Sequence, residues 1–275
     1  MEFKRIWTIY FSPTGTTKKV VSALSESISS HLPYEPFKDS YDFTLKPARS
    51  SFPNLSQEDL VIFGMPTYAG RLPNLMLKYL DTIQGNDATA VVVTTFGNRN
   101  FDNSLIELRD LLEDHGFHTV AAAACSCEHS FSYELGVGRP DSQDLEEITT
   151  FGKKVAEFLP QATTPVAVPG IPKEENHGGY YQPRDRQGVF IDIRKVKVLT
   201  DLAHCSNCLT CITSCPMGTA DPFLPSDQQG VCIKCGACVK KCPTGSRFYG
   251  DPGYLYHKTE LEEMYARRAD NWFSL

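Results

Sequence analysis

Long hydrophobic runs are missing from this sequence of 275 residues. Its longest apolar stretches, 90–93 and 120–125, have the length of a strand and fall far short of the ~20 residues that span a bilayer. We therefore expect no membrane span. The N-terminus, MEFKRIWTIYFS, runs directly into a β-rich segment, so we also expect no targeting segment and a cytoplasmic location.

An excess of basic charge is also missing. The chain carries 27 Lys and Arg against 33 Asp and Glu, and residues 1–160 alone carry 14 against 21, a net charge of −7. A nucleic-acid partner is therefore not expected, because phosphate recognition needs a basic surface. The acidic surface is compatible with docking to basic patches on partner proteins, and equally with an ordinary solubilising role.

Two nucleotide-binding fingerprints are absent as well. No Gly-x-Gly-x-x-Gly follows a predicted strand, and the first strand-to-helix loop contains no Lys or Arg, whereas a P-loop requires a lysine. The sequence therefore predicts neither an NAD(P)-binding domain nor a P-loop nucleotide site.

Cysteine, in contrast, is abundant and regularly spaced. Eight of the ten cysteines form two runs of identical spacing, Cys-x2-Cys-x2-Cys-x3-Cys-Pro. This spacing is typical of two [4Fe–4S] clusters, with the fourth cysteine of each run serving the other cluster. The spacing assigns one cluster to Cys205, Cys208, Cys211 and Cys242, and the other to Cys232, Cys235, Cys238 and Cys215.

Other uses of the ten cysteines fit less well. Disulfides need an oxidising compartment, and structural zinc uses paired Cys-x2-Cys without the third cysteine found in each run. Buried unreactive thiols would not repeat with one spacing. The remaining Cys125 and Cys127 lie in an Ala-rich segment and are expected to be inert packing residues, with a Cys-x-Cys redox or metal role as the alternative.

Strand and helix patterns alternate over residues 1–160. Strand-like runs cover 5–11, 60–64, 88–95 and 118–127, with a weaker one within 34–45. Helical spacing covers 14–30, 72–83, 103–115 and 141–159. Such alternation predicts an α/β fold with a parallel sheet covered on both faces. Five strands fit the flavodoxin-like doubly wound order 2-1-3-4-5.

Three loops at the carboxyl ends of these strands carry a candidate ligand site, because ligands of such sheets bind there. The first is rich in hydroxyls, contains a glycine and enters a helix, which makes an anion site. It resembles the phosphate loop of flavodoxins. The predicted cofactor-binding residues are Ser12, Thr14, Gly15, Thr16 and Thr17 in the first loop, Pro66, Thr67, Tyr68, Ala69 and Gly70 in the second, and Gly97, Asn98, Arg99, Phe101 and Asn103 in the third.

The resemblance to flavodoxins implies that the second and third loops flank a flavin ring, with Tyr68 and Phe101 as its aromatic neighbours. FMN is expected rather than FAD, because there is one phosphate loop and no room marked for an adenosine half. His129, after the fifth strand, is a candidate proton donor to the flavin, although a hydrogen-bonded loop histidine is the more common use.

The C-terminal 115 residues divide into three segments. Residues 161–190 are rich in Pro and Gly and form either a flexible tether or, because they hold Val166, Val168, Ile171, Tyr180 and Tyr181, a strap over the neighbouring parts. Residues 191–257 form a small α+β ferredoxin domain that opens with a short strand within 190–199. Residues 258–275 are expected to be a helical tail that contacts either part.

Taken together, the chain resembles the bacterial flavodoxin–ferredoxin fusion proteins of the EFR type. The resemblance implies FMN, two [4Fe–4S] clusters and electron transfer with redox partner proteins whose identity it does not give. An FMN-dependent reductase acting on a small molecule is the alternative, and a redox sensor is a third reading. A homodimer, and transfer within or between chains, are left open.

Overall fold

The computed structural model describes residues 2–161, 170–173, 179–221 and 229–275. The strands are β1 (Arg5–Tyr10), β2 (Phe37–Asp42), β3 (Asp59–Pro66), β4 (Thr89–Phe96), β5 (His118–Ser126), β6 (Val198–Thr200), β7 (Arg247–Tyr249) and β8 (Trp272–Ser274). The α-helices are α1 (Thr16–His31), α2 (Asn74–Leu80), α3 (Ser104–Asp114), α4 (Ser142–Phe158), α5 (Thr210–Thr213), α6 (Ala237–Lys240) and α7 (Pro252–Met264). Short 3₁₀ turns cover Lys46–Ser50 and Leu159–Gln161.

Six strands form one sheet in the order β2-β1-β3-β4-β5-β8. The first five are parallel, so the predicted α/β fold with the doubly wound order 2-1-3-4-5 is confirmed. The sixth strand was not predicted. It comes from the C-terminal tail and pairs antiparallel with β5.

Helices cover both faces of this sheet. Every residue of β3 and β4 is buried, because α1 and α4 pack on one face while α2 and α3 pack on the other. Strands buried on both sides read as continuous apolar runs, and these two were the clearest strand signals in the sequence. At the sheet edge, β2 is largely exposed and polar, which explains its weak signal.

The second sheet is small and holds the cysteine runs together. It consists of β6 and β7, which pair antiparallel. The strand expected within 190–199 is shorter than expected and covers Val198–Thr200. The first cysteine run contains α5 and the second contains α6, each a single turn entered through a residue with positive φ, Leu209 or Gly236.

Three residues of the 161–190 segment contact the large domain, whereas Arg186 pairs with Glu260 and Glu263 of α7. The side chain of Ile171 packs into its core, the Tyr180 hydroxyl donates to the Leu72 carbonyl over 2.8 Å, and the Tyr181 amide donates to the Ala69 carbonyl over 2.8 Å. These contacts are those of a strap. Val166 and Val168 lie outside the described residues.

The C-terminal tail returns from the small sheet to the large one. Helix α7 begins at Pro252 and ends at Met264, and the chain then continues to β8 at the edge of the large sheet. Phe273 of β8 packs on Phe151 of α4 with ring centroids 4.8 Å apart. The expectation of a helix over 258–275 is therefore met only up to Met264. None of the described helices has the length and apolar character that a membrane crossing needs.

Candidate functional site

A cavity lies at the carboxyl edge of the parallel sheet, where the sequence placed the ligand site. Residues from four loops line it: Pro13, Thr14, Thr16 and Thr17 after β1, Pro66, Thr67 and Tyr68 after β3, Phe96 and Gly97 after β4, and Cys127, Glu128, His129 and Ser130 after β5. The structure thus brings together seven of the fifteen predicted cofactor-binding residues, together with His129.

The first loop is built to receive an anion. Helix α1 starts at Thr16, and its N-cap residue Gly15 has no side chain to cap the first turn, which leaves the N–H groups of Thr16 and Thr17 available to a ligand. Gly15 has φ +96°, a conformation that a residue with a Cβ rarely adopts. Ser12 is buried, and its hydroxyl accepts from the Lys18 amide over 2.9 Å, so it shapes the loop.

The second loop places one aromatic ring in the cavity. The Thr67 amide donates to the Thr95 carbonyl over 2.7 Å, which extends the β3–β4 pairing into the loop. Tyr68 and Arg71 then form an isolated bridge that closes a tight turn through Ala69 and Gly70. This turn directs Tyr68 into the cavity wall, while Ala69 and Gly70 themselves lie outside the lining.

Most of the third loop turns away from the cavity. Asn98 binds the C-terminal tail. The Arg99 guanidinium pairs with Asp102 and lies 4.7 Å from the Tyr181 ring centroid. Phe101 packs between Phe96 and Trp272. Asn103 occupies the N-cap position of α3, and its carbonyl accepts from the Glu107 amide over 3.0 Å. Of the five residues predicted here, only Gly97 lines the cavity.

Gly97 and His129 touch. A Cβ built on Gly97 would lie 2.2 Å from His129 Cδ2, so only glycine lets the imidazole pack on this backbone. His129 Nδ1 accepts from the Phe131 amide over 3.1 Å, which leaves the proton on Nε2. Burial, with the nearby charges of His257 and Lys240, lowers the pKa of His129 to about 3. At neutral pH the ring is therefore an uncharged hydrogen-bond donor rather than a strong acid.

Sequence reasoning gave Cys127 a packing role, yet it lines the cavity. Burial raises its pKa to about 12, so its thiol is protonated and unreactive at neutral pH. The neighbouring Cys125 is buried in β5, and burial raises its pKa well above the ordinary value. Both thiols therefore have the inert chemistry expected of them.

A second cavity lies in the small domain and is lined by thiols. Its cysteines are Cys211, Cys215, Cys232, Cys235 and Cys238. Four of these five are the set that the spacing assigned to one cluster. Cys215 comes from the first run, as that assignment expects, but Cys211 of the other set lines the cavity as well, so the assignment of the fourth cysteines stays a prediction.

The other predicted set lies nearer the surface. Cys211 has Cys205 and Cys208 as electrostatic neighbours, while Cys208 is exposed and its sulfur lies 3.3 Å from the Thr210 hydroxyl. The sulfur of Cys242 lies 3.7 Å from the Thr244 hydroxyl. Three of these four cysteines are thus neighbours.

The thiol cavity suits a multi-iron group better than one ion. Among the described residues, no three His, Cys, Asp or Glu side chains converge on a single-ion site. Burial raises the pKa of Cys235, and it raises that of Cys238 to about 11, so these sulfurs become thiolates only when a positive charge joins them. A [4Fe–4S] cluster takes four thiolates, one on each iron, and supplies that charge.

The two cavities share a wall. A Cβ built on Gly236, which lines the thiol cavity, would lie 2.5 Å from the carbonyl oxygen of Ser130, which lines the other. Lys240 Nζ pairs with Glu128 across the same boundary over 2.6 Å. Tyr68, inside the first cavity, has its pKa raised by burial and by the neighbouring Cys235 and Cys232.

Aromatic rings fill part of the same wall. Tyr249 lines the thiol cavity and stacks on Tyr254 with centroids 4.2 Å apart. The Tyr254 ring lies 4.8 Å from Phe131, which lies 5.2 Å from His129 in the first cavity. A continuous series of ring contacts therefore joins the linings of the two cavities.

Comparison with known proteins matches the small domain to a family. Residues 197–243 match the 4Fe-4S dicluster domain family. A curated relative, the uncharacterized protein MJ0298 of Methanocaldococcus jannaschii, is 28% identical over 104 residues, which cover 35% of this chain and 69% of that protein.

Solved structures similar to this chain include several flavodoxins. One from the domain Archaea is 15% identical, with 57% of this chain and 99% of that chain covered and a TM-score of 0.38. Oxidised flavodoxin 2 from Bacillus cereus is 17% identical, with 56% and 98% covered and a TM-score of 0.40. The Fusobacterium nucleatum flavodoxin bound to flavin mononucleotide is 15% identical, with 56% and 98% covered and a TM-score of 0.37.

Strand order, cavity position and the family match lead to one description. The first 161 residues supply a parallel sheet of order 2-1-3-4-5 with a cavity at its switch point. Residues 197–243 supply the cysteine runs of a dicluster domain. The chain therefore combines a domain that has the flavodoxin-like strand order with a segment that matches the 4Fe–4S dicluster domain family.

Proposed function

We propose that this protein carries electrons between iron–sulfur clusters and an FMN held in one chain. The first cavity would hold the FMN, with its phosphate at the start of α1 and its ring between Tyr68 and the 97–98 backbone. The thiol cavity would hold the cluster of Cys232, Cys235, Cys238 and Cys215. The second cluster, on Cys205, Cys208, Cys211 and Cys242, would lie toward the surface and face partner proteins.

The single observation that carries the proposal is the shared wall. Gly236 and Ser130 are in direct backbone contact, and each lines one of the two cavities. Electron transfer between redox groups requires proximity and a packed medium, which this wall supplies. A redox sensor or a pair of independent domains would not need a glycine pressed against the neighbouring backbone.

The chain's own residues would tune this transfer. When bound, a flavin exchanges two electrons and a cluster exchanges one, so together they couple one-electron carriers to two-electron chemistry. His129 is neutral, and its Nε2 proton would donate to the flavin ring without adding charge. The ion pair between Lys240 and Glu128 would fix the position of the small domain against the large domain at the cavity rim.

The proposal is tested by following both chromophores in the cofactor-loaded, full-length protein under anaerobic rapid mixing with a one-electron reductant. We expect cluster bleaching to precede flavin bleaching, and Cys238→Ser to remove the fast flavin phase. Cys127→Ser is the matched control, because this thiol lines the flavin cavity without being predicted to bind iron. Equal flavin reduction rates in wild type and Cys238→Ser would overturn the proposal.

The same experiment also tests the alternative function, a flavin-dependent reductase that acts on a small molecule. Turnover of a specific small acceptor by the reduced protein, without any partner protein, would support it. The polar lining formed by Glu128, His129 and Ser130 is the only described feature of the cavity that favours such a substrate.

A further inference from the structure

We infer that Arg247 and Tyr249 set the reduction potential of the cluster nearest the flavin by donating hydrogen bonds to its sulfur atoms. The inference rests on the proposed cluster in the thiol cavity, but not on the proposed flavin. Both are positioning residues: they would change the reduction potential of the cluster without taking part in a reaction themselves.

Strand β7 presents these two side chains to the cavity. Alternate residues of a strand point to one face, so Arg247 and Tyr249 face inward while Phe248 faces solvent. Both inward residues are more than nine-tenths buried, and both line the thiol cavity. No other strand of the small domain contributes two polar side chains to this lining among the described residues.

Arg247 lies between the two sets of cysteines. Its guanidinium is hydrogen-bonded to the Cys238 thiol of one set and lies close to Cys211 of the other, while Nη1 donates to the Thr200 hydroxyl over 2.5 Å. Burying a guanidinium is costly unless negative charge lies beside it. Clusters bound by thiolates supply that negative charge, so the one guanidinium would interact with the clusters of both cysteine sets.

Tyr249 contributes a donor that nothing else in the described structure uses. Its hydroxyl is fully buried without a hydrogen-bond partner, and Cys232, Cys235 and Cys238 are its electrostatic neighbours. A buried hydroxyl left without a partner is unfavourable, so such groups are rare in folded proteins. A sulfur atom of the cluster would accept this bond.

The sign of the effect follows from charge. Reduction adds one negative charge to the cluster, which strengthens any hydrogen bond donated to its sulfur atoms. Donors therefore favour the reduced form and raise the potential. Removing the Tyr249 hydroxyl should lower the potential of this cluster alone, whereas removing the Arg247 charge should lower the potentials of both.

The test is an anaerobic potentiometric titration of full-length, cluster-loaded Tyr249→Phe, followed by electron paramagnetic resonance. We expect a roughly tenfold loss in the equilibrium constant for adding one electron, a fall of about 59 mV, at one cluster with the other unchanged. Tyr256→Phe is the matched control, since this tyrosine of α7 is 37% exposed and lies outside the cavity lining.

Two further measurements protect the test from a folding defect. Fluorotyrosine placed at position 249 alone makes this hydroxyl more acidic and adds little volume, so the same midpoint should rise. Arg247→Met should lower both midpoints, and Arg247→Lys, which keeps the charge, should lower them less. An unchanged midpoint in Tyr249→Phe and in fluorotyrosine protein would overturn the inference. Because these midpoints do not involve the flavin, they stand or fall separately from flavin reduction.

Discussion

Asn98 was predicted to contact the flavin, but the structure makes it the anchor of the C-terminal tail. Its side-chain amide donates to the Tyr265 carbonyl over 2.8 Å and to the Arg267 carbonyl over 2.6 Å. Its oxygen accepts from the Ala269 amide and from Arg139 Nη1, both over 3.1 Å. We predict that Asn98→Ala releases the tail and leaves FMN affinity within a factor of a few.

The magnitude follows from these bonds. Asn98 is 2% exposed, and each of its four short hydrogen bonds contributes about 1 kcal/mol net, with more lost where the buried partner finds no water. Its φ of +63° adds about 1 kcal/mol, because alanine tolerates the left-handed region less well than asparagine. A loss of about 5 kcal/mol is therefore expected in the free energy of unfolding.

The assay compares cofactor-loaded wild type, Asn98→Ala and Asn100→Ala under anaerobic conditions. Asn100 is an exposed residue of the same loop whose side-chain oxygen accepts from the Asp102 amide over 3.1 Å, so its replacement should cost about 1 kcal/mol. The midpoint of thermal unfolding should fall by roughly 10–20 °C in Asn98→Ala, and carboxypeptidase should remove the tail much faster. The reasoning would be refuted if Asn98→Ala lowered the free energy of unfolding by less than about 1 kcal/mol. It would also be refuted if this variant lost FMN while its tail stayed protected from carboxypeptidase.

Three other predictions concern the wall, the histidines and the cysteines. Gly236→Ala should slow the reduction of the flavin by the clusters while the iron and flavin contents stay unchanged, because the added Cβ must displace the neighbouring backbone. Rapid-mixing kinetics measure this rate. A rate equal to that of the wild type would contradict the prediction. Burial lowers the pKa of His129 to about 3 and that of His257 to about 4, so the unfolded state binds more protons below pH 6.5. Stability should therefore fall by about 2 kcal/mol per ring between pH 7 and pH 5, and His257→Gln should show a smaller loss in thermal melts. Cys238→Ser should lose half of the bound iron by elemental analysis, whereas Cys127→Ser should lose none.

Periodicity was sufficient to predict the parallel sheet. β3 and β4 are apolar throughout because both of their faces are covered, and this pattern is unambiguous in a sequence. The division of the eight cysteines into two sets stays a prediction, which rests on the ligand spacing that a cubane dictates within a short loop.

The tail and the third loop could not be predicted in the same way. Trp272–Ser274 is too short for a strand signal and becomes one only because β5 offers a free edge. The loop containing Asn98 looks like a ligand loop, yet Asn98 serves a segment some 170 residues later in the chain, a distance at which one sequence carries no pairing signal. Glu128 and Ser130 also line the cavity, and the sequence signal that points to them is their place at the carboxyl end of β5.

The contact between Gly236 and Ser130 is the finding that sequence patterns could not supply. Both residues lie in loops whose chemistry was predictable, but their separation depends on how the strap and the tail seat the small domain on the large sheet. The electron path within one chain is therefore a property of the tertiary structure.

The most direct test of that path is the concentration dependence of flavin reduction in the fully loaded protein. With the clusters reduced first by a stoichiometric one-electron donor, the rate constant for flavin reduction is followed over a hundredfold range of protein concentration. Transfer within one chain predicts a rate constant that does not change across this range. A rate that rises in proportion to protein concentration would contradict the account, because it would show that electrons pass between chains.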